Sequence, residues 1–119
     1  MCSQMTIHTV DFESVRSPNK SVLLIDVREP SELKETGVLP ASINIPLGEL
    51  ENALKNMNNK EFHLKYGRTK PELQTPIIFS CKSGKRSEIA AKTATTLGYK
   101  DVGNYTGGWS DWEEKIKQY

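Results

Sequence analysis

Val22-Leu23-Leu24-Ile25 puts four apolar side chains in a row, and Ile77-Ile78-Phe79 comes close to repeating it. Successive side chains of a strand point to opposite faces, so an unbroken apolar run has to be covered on both sides. That confines the chain to layered folds in which helices sandwich a largely parallel sheet. The segments around the two runs agree. Thr6 to Val10 alternates as an edge strand does, and Asp11 stands as an N-cap to a short helix with Phe12 and Val15 on one face. Residues 17–20, with Pro18, read as a turn. Pro30 suits the first turn of a helix that Gly37 would end, and Ile43 to Ile45 is a short strand stopped by Pro46. Leu47, Leu50 and Leu54 keep helical spacing, Asn56 to Lys60 breaks it, and Glu61 to Lys65 gives one more turn. A strand over residues 77–80 precedes a helix whose apolar positions are Ile89, Ala90, Thr93, Ala94 and Leu97, closed by Gly98. Val102 to Tyr105 is a fifth strand, and Trp109, Trp112 and Ile116 form one stripe of a last helix. The expectation is an α/β fold: a five-stranded, mostly parallel sheet with helices on both faces, one domain over residues 1–119.

Charge excludes more than it assigns. The 119 residues are 26% charged but carry a net charge of only +1, so nothing drives the whole chain onto nucleic acid or a membrane. Any electrostatic work is local. No apolar run approaches the roughly 20 residues that cross a bilayer. The start, Met1-Cys2-Ser3-Gln4-Met5, has neither a secretory nor a transit pattern. A cytoplasmic address is the expectation, or a mitochondrial one if a targeting segment precedes this stretch. There are two cysteines, Cys2 and Cys81. A terminal Cys2 is a poor disulfide partner, so reducing conditions fit. No Cys-x-x-Cys or His-x-x-x-His spacing occurs, and no metal site is expected.

The chemistry concentrates in Cys81-Lys82-Ser83-Gly84-Lys85-Arg86, between the strand at 77–80 and the helix that follows. A helix N-terminus and neighbouring cations both favour a thiolate. If the backbone curls around the sulfur, successive N–H groups form an anion nest, and Gly84 supplies the freedom that such a curl needs. Lys82, Lys85 and Arg86 add charge at the rim. Asp26 and Arg28 emerge from the strand after Val22, at the carboxyl end where α/β sheets gather ligands. They read either as a mutual ion pair or as groups orienting the loop. A Cys-His hydrolase would need a base, and only His8 and His63 exist; nothing local links either to Cys81, and both read as surface or half-buried histidines. A cysteine phosphatase uses Cys-x5-Arg to wrap a tetrahedral phosphate. Here the arginine comes one residue earlier and Ser87 occupies the phosphatase position, so the loop suits a smaller sulfur species.

The chain resembles the single-domain rhodaneses, a sulfurtransferase family, over nearly its whole length. The resemblance rests on Asp26-Val27-Arg28-Glu29, on Gly37 to Pro46, on the Cys81–Arg86 loop and on Asn104 to Trp112. Tyr66-Gly67-Arg68-Thr69-Lys70-Pro71-Glu72 narrows it towards the small thiosulfate:glutathione sulfurtransferases of animals and a heat-shock-associated insect rhodanese. One departure stands out. The pattern Gly-His-Ile-Pro-Gly-Ala common in the family reads Gly37-Val38-Leu39-Pro40-Ala41-Ser42, without the histidine or the second glycine. That pattern is expected to be structural.

The resemblance implies sulfur transfer from thiosulfate through a Cys81 persulfide to a thiol such as glutathione or thioredoxin, or to cyanide in the test tube, with no cofactor. Lys82, Lys85 and Arg86 would offset the donor's charge, and backbone N–H groups of Ser83 to Arg86, Gly84 among them, would hold the persulfide. A charge-assisted hydrogen bond contributes roughly 1.5–3 kcal/mol, so losing Arg86 is expected to slow the reaction roughly ten- to a hundredfold. Asp26, Arg28 and Trp109 would orient the loop, Trp109 from the Gly107-Gly108 turn. The alternatives are a persulfide carrier or rhodanese-like binding module that delivers sulfur to a protein, and less strongly a cysteine phosphatase. The basic loop Arg68-Thr69-Lys70 reads as solvated surface or as a means of recruiting an acidic acceptor.

Overall fold

A computed structural model of the chain describes residues 6–17 and 19–118. Cys2 and the proline of the expected 17–20 turn lie outside them. The elements run β1 (Ile7–Val10), α1 (Phe12–Arg16), β2 (Leu23–Asp26), α2 (Pro30–Thr36), β3 (Ser42–Asn44), α3 (Leu47–Lys55), α4 (Asn59–Tyr66), β4 (Ile77–Ser80), α5 (Lys85–Thr96), β5 (Val102–Tyr105) and α6 (Gly108–Ile116). The sheet order is β1-β5-β4-β2-β3, and all four pairings are parallel. The chain winds outward from β2 to β3, then returns across β2 to lay down β4 and β5. Ligands of such sheets gather where the winding reverses, here between the carboxyl ends of β2 and β4.

The two continuous runs occupy the centre for the reason their composition suggested. Leu23, Ile25 and Val27 face one layer with Ile77, Phe79, Cys81 and the helices α3, α4 and α5. Leu24 and Ile78 face the other, with Val10, Phe12, Val15, Tyr105 and Trp112 from the side of α1 and α6. Each fully buried Leu, Ile or Phe contributes about 1.5–3 kcal/mol of transfer free energy, which makes the central strands the stable part of the sheet. Helix α5 comes close to the sheet because its buried side chains are small: Ser87, Ala90, Ala91 and Ala94. Ile89, expected on that face, points away and is 54% exposed. An apolar residue one position off the alanine row turns out to solvent.

Local signals set most boundaries. Asp11 Oδ1 accepts from the Ser14 N–H at 3.2 Å and opens α1. Helix α4 is longer than the single turn expected, because Asn58 and Glu61 cap it reciprocally: Glu61 N–H donates to Asn58 Oδ1 at 2.8 Å, and Asn58 N–H to Glu61 Oε1 at 2.9 Å. Ala41, standing where the family pattern has its second glycine, holds φ at +57°. An L side chain there costs about 1–2 kcal/mol.

Candidate active site

Cys81 follows β4 directly, with Ser80 in register with Asp26 of β2. Its side chain is 1% exposed and faces the α5 layer. The loop returns on itself at once. Gly84, at φ +91°, donates its N–H to Cys81 Sγ at 3.0 Å and serves as the N-cap of α5. A Cβ at Gly84 would stand 2.3 Å from the Thr106 carbonyl oxygen, so no other residue fits.

The curl is held from outside by α6. Trp109 N–H donates to the Cys81 carbonyl at 2.8 Å and Ser110 N–H to the Lys82 carbonyl at 3.1 Å. These are among the N–H groups that a helix leaves without an internal partner. In a trans peptide the C=O and the following N–H point in opposite directions. Fixing the two carbonyls on α6 therefore turns the N–H groups of Lys82 and Ser83 back towards the loop interior. Gly108 permits this approach: a Cβ there would meet the Cys81 carbonyl oxygen at 2.5 Å.

The sulfur's acidity follows from competing effects. Burial pushes the thiol up; the Ser87 hydroxyl and the N–H groups of Ser87, Ser83 and Gly84 push it down, and the net shift is downward. Ser87 Oγ lies 3.4 Å from Sγ and donates to Asn104 Oδ1 at 2.6 Å, while Asn104 Nδ2 donates to the Gly84 carbonyl at 3.3 Å. Sulfur, Ser87 and Asn104 thus form one buried hydrogen-bonded line from the loop to β5.

The rim differs from the expectation of three free cations. Arg86 is bound by both oxygens of Glu32, at 2.6 and 3.0 Å. That guanidinium, outweighing the opposing effect of burial, holds the Glu32 carboxyl at about 2. Glu32 Oε1 also accepts the Glu29 N–H at 3.0 Å, so the start of α2 is clamped to the start of α5. Lys82 and Lys85 remain exposed beside the loop. Asp26 and Arg28 pair with each other, Arg28 Nη2 to Asp26 Oδ2 at 2.8 Å, both 1% exposed. Arg28 also donates to Thr36 Oγ1 at 2.9 Å and lies 4.8 Å from the centre of the Trp109 ring. The ion pair thereby reaches the loop through Trp109, whose N–H holds the Cys81 carbonyl. Asn44 Nδ2 fixes the turn beyond β2 by donating to the carbonyls of Asp26 and Arg28, each at 2.9 Å.

The structure therefore gathers Cys81, Ser83, Gly84, Arg86, Asp26, Arg28 and Trp109 at one pole of the sheet. His8 is elsewhere, on edge strand β1, bonded to Asp101 at 3.0 Å, and His63 is exposed on α4. Glu32, Ser87, Asn104 and Gly108, which also contact the Cys81 loop or its helix, were not among the site residues expected from the sequence. Ser87 and Asn104 left a signal: Asn104 is polar inside a strand otherwise fit for burial, and Ser87 falls at helical spacing on the row of Ala90, Ala91 and Ala94. Among the described residues no cluster of three metal-ligating side chains occurs.

A thiol in a nest of N–H groups, at the switch point of a doubly wound parallel sheet, defines a class of cysteine-loop domain built to stabilise negative charge on sulfur. Residues 13–115 match the Rhodanese-like domain family, and the chain belongs to it. It is 52% identical over 106 residues to Rhodanese domain-containing protein CG4456 of Drosophila melanogaster, covering 87% of this chain and 95% of that one. It is 40% identical to the human thiosulfate:glutathione sulfurtransferase, covering 97% and 98% of the two chains. The solved structure of the human single-domain sulfurtransferase TSTD1 superposes with a TM-score of 0.83 at 36% identity, covering 92% of this chain and 98% of that one.

Proposed function

We propose that this protein is a thiosulfate sulfurtransferase that works through a persulfide on Cys81. The observation that carries the reading is the donation of the Gly84 N–H to Cys81 Sγ at 3.0 Å, within a loop that lowers the thiol's pKa. The Cys81 thiolate attacks the outer sulfur of thiosulfate. The bond between that sulfur and the sulfonyl sulfur breaks, sulfite leaves with the electron pair, and Cys81 keeps the transferred sulfur as a persulfide anion. An acceptor thiolate then attacks the outer sulfur, takes it as its own persulfide and regenerates the Cys81 thiolate. Both steps conserve charge, and neither needs an oxidant or a cofactor.

Each part of the loop has a task in this scheme. The N–H groups of Ser83, Gly84 and Ser87 hold negative charge on sulfur without moving. Lys82 and Lys85 offset the repulsion between a thiolate and an incoming dianion. Arg86, shared with Glu32, keeps the start of α5 in place, and its own charge towards the donor is partly spent on that carboxylate. Asp26, Arg28 and Trp109 set the position of the loop carbonyls through α6. The acceptor is a thiol such as glutathione or thioredoxin, with cyanide as its laboratory substitute. A reducing compartment, cytoplasmic or mitochondrial, suits both partners.

Incubation with thiosulfate, followed by peptide mass spectrometry, should add one sulfur atom to Cys81 and none to Cys2. Cys81→Ser should abolish sulfite release with an unchanged circular dichroism spectrum. An unmodified Cys81, or sulfite release that survives the substitution, refutes the assignment.

A further inference from the structure

A cleft of about 750 Å³ lies well away from Cys81. It is lined by the segments that lead into β2, β4 and β5: residues 20–23, the loop at 68–75, and Leu97 with Tyr99, together with the end of α3. These all lie at the amino ends of the parallel strands. Cys81 lies at the carboxyl ends, a four-residue strand away, roughly 13 Å at 3.3 Å per residue. A small ligand seated here does not reach the sulfur.

Four cations line this cleft, Lys20, Lys55, Arg68 and Lys70, against one carboxylate, Glu72. That is a local charge of +3 on a chain of net +1, which leaves −2 for everything else. Elsewhere Arg16, Arg28, Lys65, Arg86, Lys115 and Lys117 have carboxylate partners, and the cations without one (Lys34, Lys60, Lys82, Lys85, Lys92 and Lys100) are all exposed. None of the four in the cleft has a carboxylate partner among the described residues. Two of them are nonetheless fixed and half-buried. Lys70 Nζ donates to the Met57 carbonyl at 2.7 Å, and Arg68 Nη1 to the Ala41 carbonyl at 3.2 Å. The loop that carries them is tied to the core by the Tyr99 hydroxyl, which donates to the Pro71 carbonyl at 3.1 Å. Carbonyl partners orient a charge but do not neutralise it, and a partly desolvated cation without an anion is costly. The cleft is concave, of small-ligand size, and backed by apolar Leu54 and Leu97.

We propose that this cleft is a second binding site, for a small-molecule polyanion carrying at least two phosphate-class groups. Its shape favours a compact ligand over an extended acidic peptide, and four separated cations favour multiple charge over a single anion. The inference does not rest on the sulfurtransferase reading.

Inorganic pyrophosphate is the probe, titrated into the full chain at ionic strength held constant with sodium chloride. Amide chemical shifts and calorimetry follow the binding, with inorganic phosphate in a second arm and an oligoglutamate peptide in a third. The expected result is saturable binding with shifts at residues 20, 55 and 68–72, and at least tenfold weaker binding of phosphate. Arg68→Gln and Lys70→Gln should each weaken pyrophosphate binding roughly tenfold, the loss of one charge-assisted hydrogen bond. Alkylation of Cys81 should be unchanged in both. The exposed Lys20→Gln and Lys55→Gln repeat the test without touching a half-buried group. Shifts centred on residues 82–86, no saturation at matched ionic strength, or tighter binding of oligoglutamate than of pyrophosphate each overturn the proposal.

Discussion

Ser87→Ala should make Cys81 a weaker acid, and Asn104→Ala should make it a stronger one. The opposite signs come from a single proton. Ser87 has one hydroxyl hydrogen. It lies on Asn104 Oδ1 at 2.6 Å, while Sγ stands 3.4 Å from the same hydroxyl oxygen. The amide keeps its orientation because Nδ2 is held by the Gly84 carbonyl. While the sulfur is protonated, the thiol donates to Ser87 and Ser87 donates to Asn104. After ionisation, the hydroxyl either swings to the sulfur and leaves a buried amide oxygen bare, or stays and leaves the thiolate to its backbone donors. Asn104 therefore favours the protonated thiol. A hydrogen bond to a charged group contributes about 1.5–3 kcal/mol and a neutral one about 0.5–1.5, so the hydroxyl's net gift to the thiolate is about 1–1.5 kcal/mol. Below the titration, Ser87→Ala should then lower the thiolate fraction roughly five- to tenfold, and Asn104→Ala should raise it by roughly three- to tenfold. The assay is the pH dependence of iodoacetamide alkylation, read on the Cys81 peptide so that Cys2 does not contribute. In the double variant the effect of Asn104 should vanish, since no proton is left to contest. A lower thiolate fraction in Asn104→Ala, or an Asn104 effect that persists without Ser87, refutes the reasoning.

Gly108→Ala drives a Cβ to 2.5 Å from the Cys81 carbonyl at a φ of +61°; it should destabilise the fold by more than about 2 kcal/mol in urea unfolding. Ala41→Gly relieves the residue held at φ +57°, and after the entropy that glycine adds to the unfolded chain it should raise stability by about 0.5–1 kcal/mol, a few degrees in a thermal melt. Glu32, held at about 2 against an ordinary 4.5, contributes stability that is fully present above pH 4.5 and is lost as the pH falls towards 2. Unfolding curves between pH 2.5 and 6 should therefore show Glu32→Gln converging on the parent at the acid end, and a gap that stays constant would remove the Arg86 pair as its cause.

Much of the fold was legible because it depends on neighbours in the chain. Four apolar residues in a row at Val22 announce a strand covered on both faces whatever lies above and below it. Asp11 caps the helix that begins one residue later, and Cys81 to Arg86 must turn tightly between a strand and a helix. Parallel pairing followed from the same local alternation. What the chain could not announce is which distant segments meet. Glu32 reaches Arg86 across 54 residues, and Ser87 reaches Asn104 across 17. Both contacts exist only because β4 is inserted between β5 and β2, which brings α2, α5 and α6 to one pole. The same insertion turned Arg86 from a free cation into half of an ion pair and gave α6 the task of holding the loop carbonyls. At the opposite pole it assembled Lys20, Lys55, Arg68 and Lys70 into one basic cleft. Local sequence chose the elements and set Cys81 on the turn between a strand and a helix; strand order, which depends on packing the whole core at once, chose their partners.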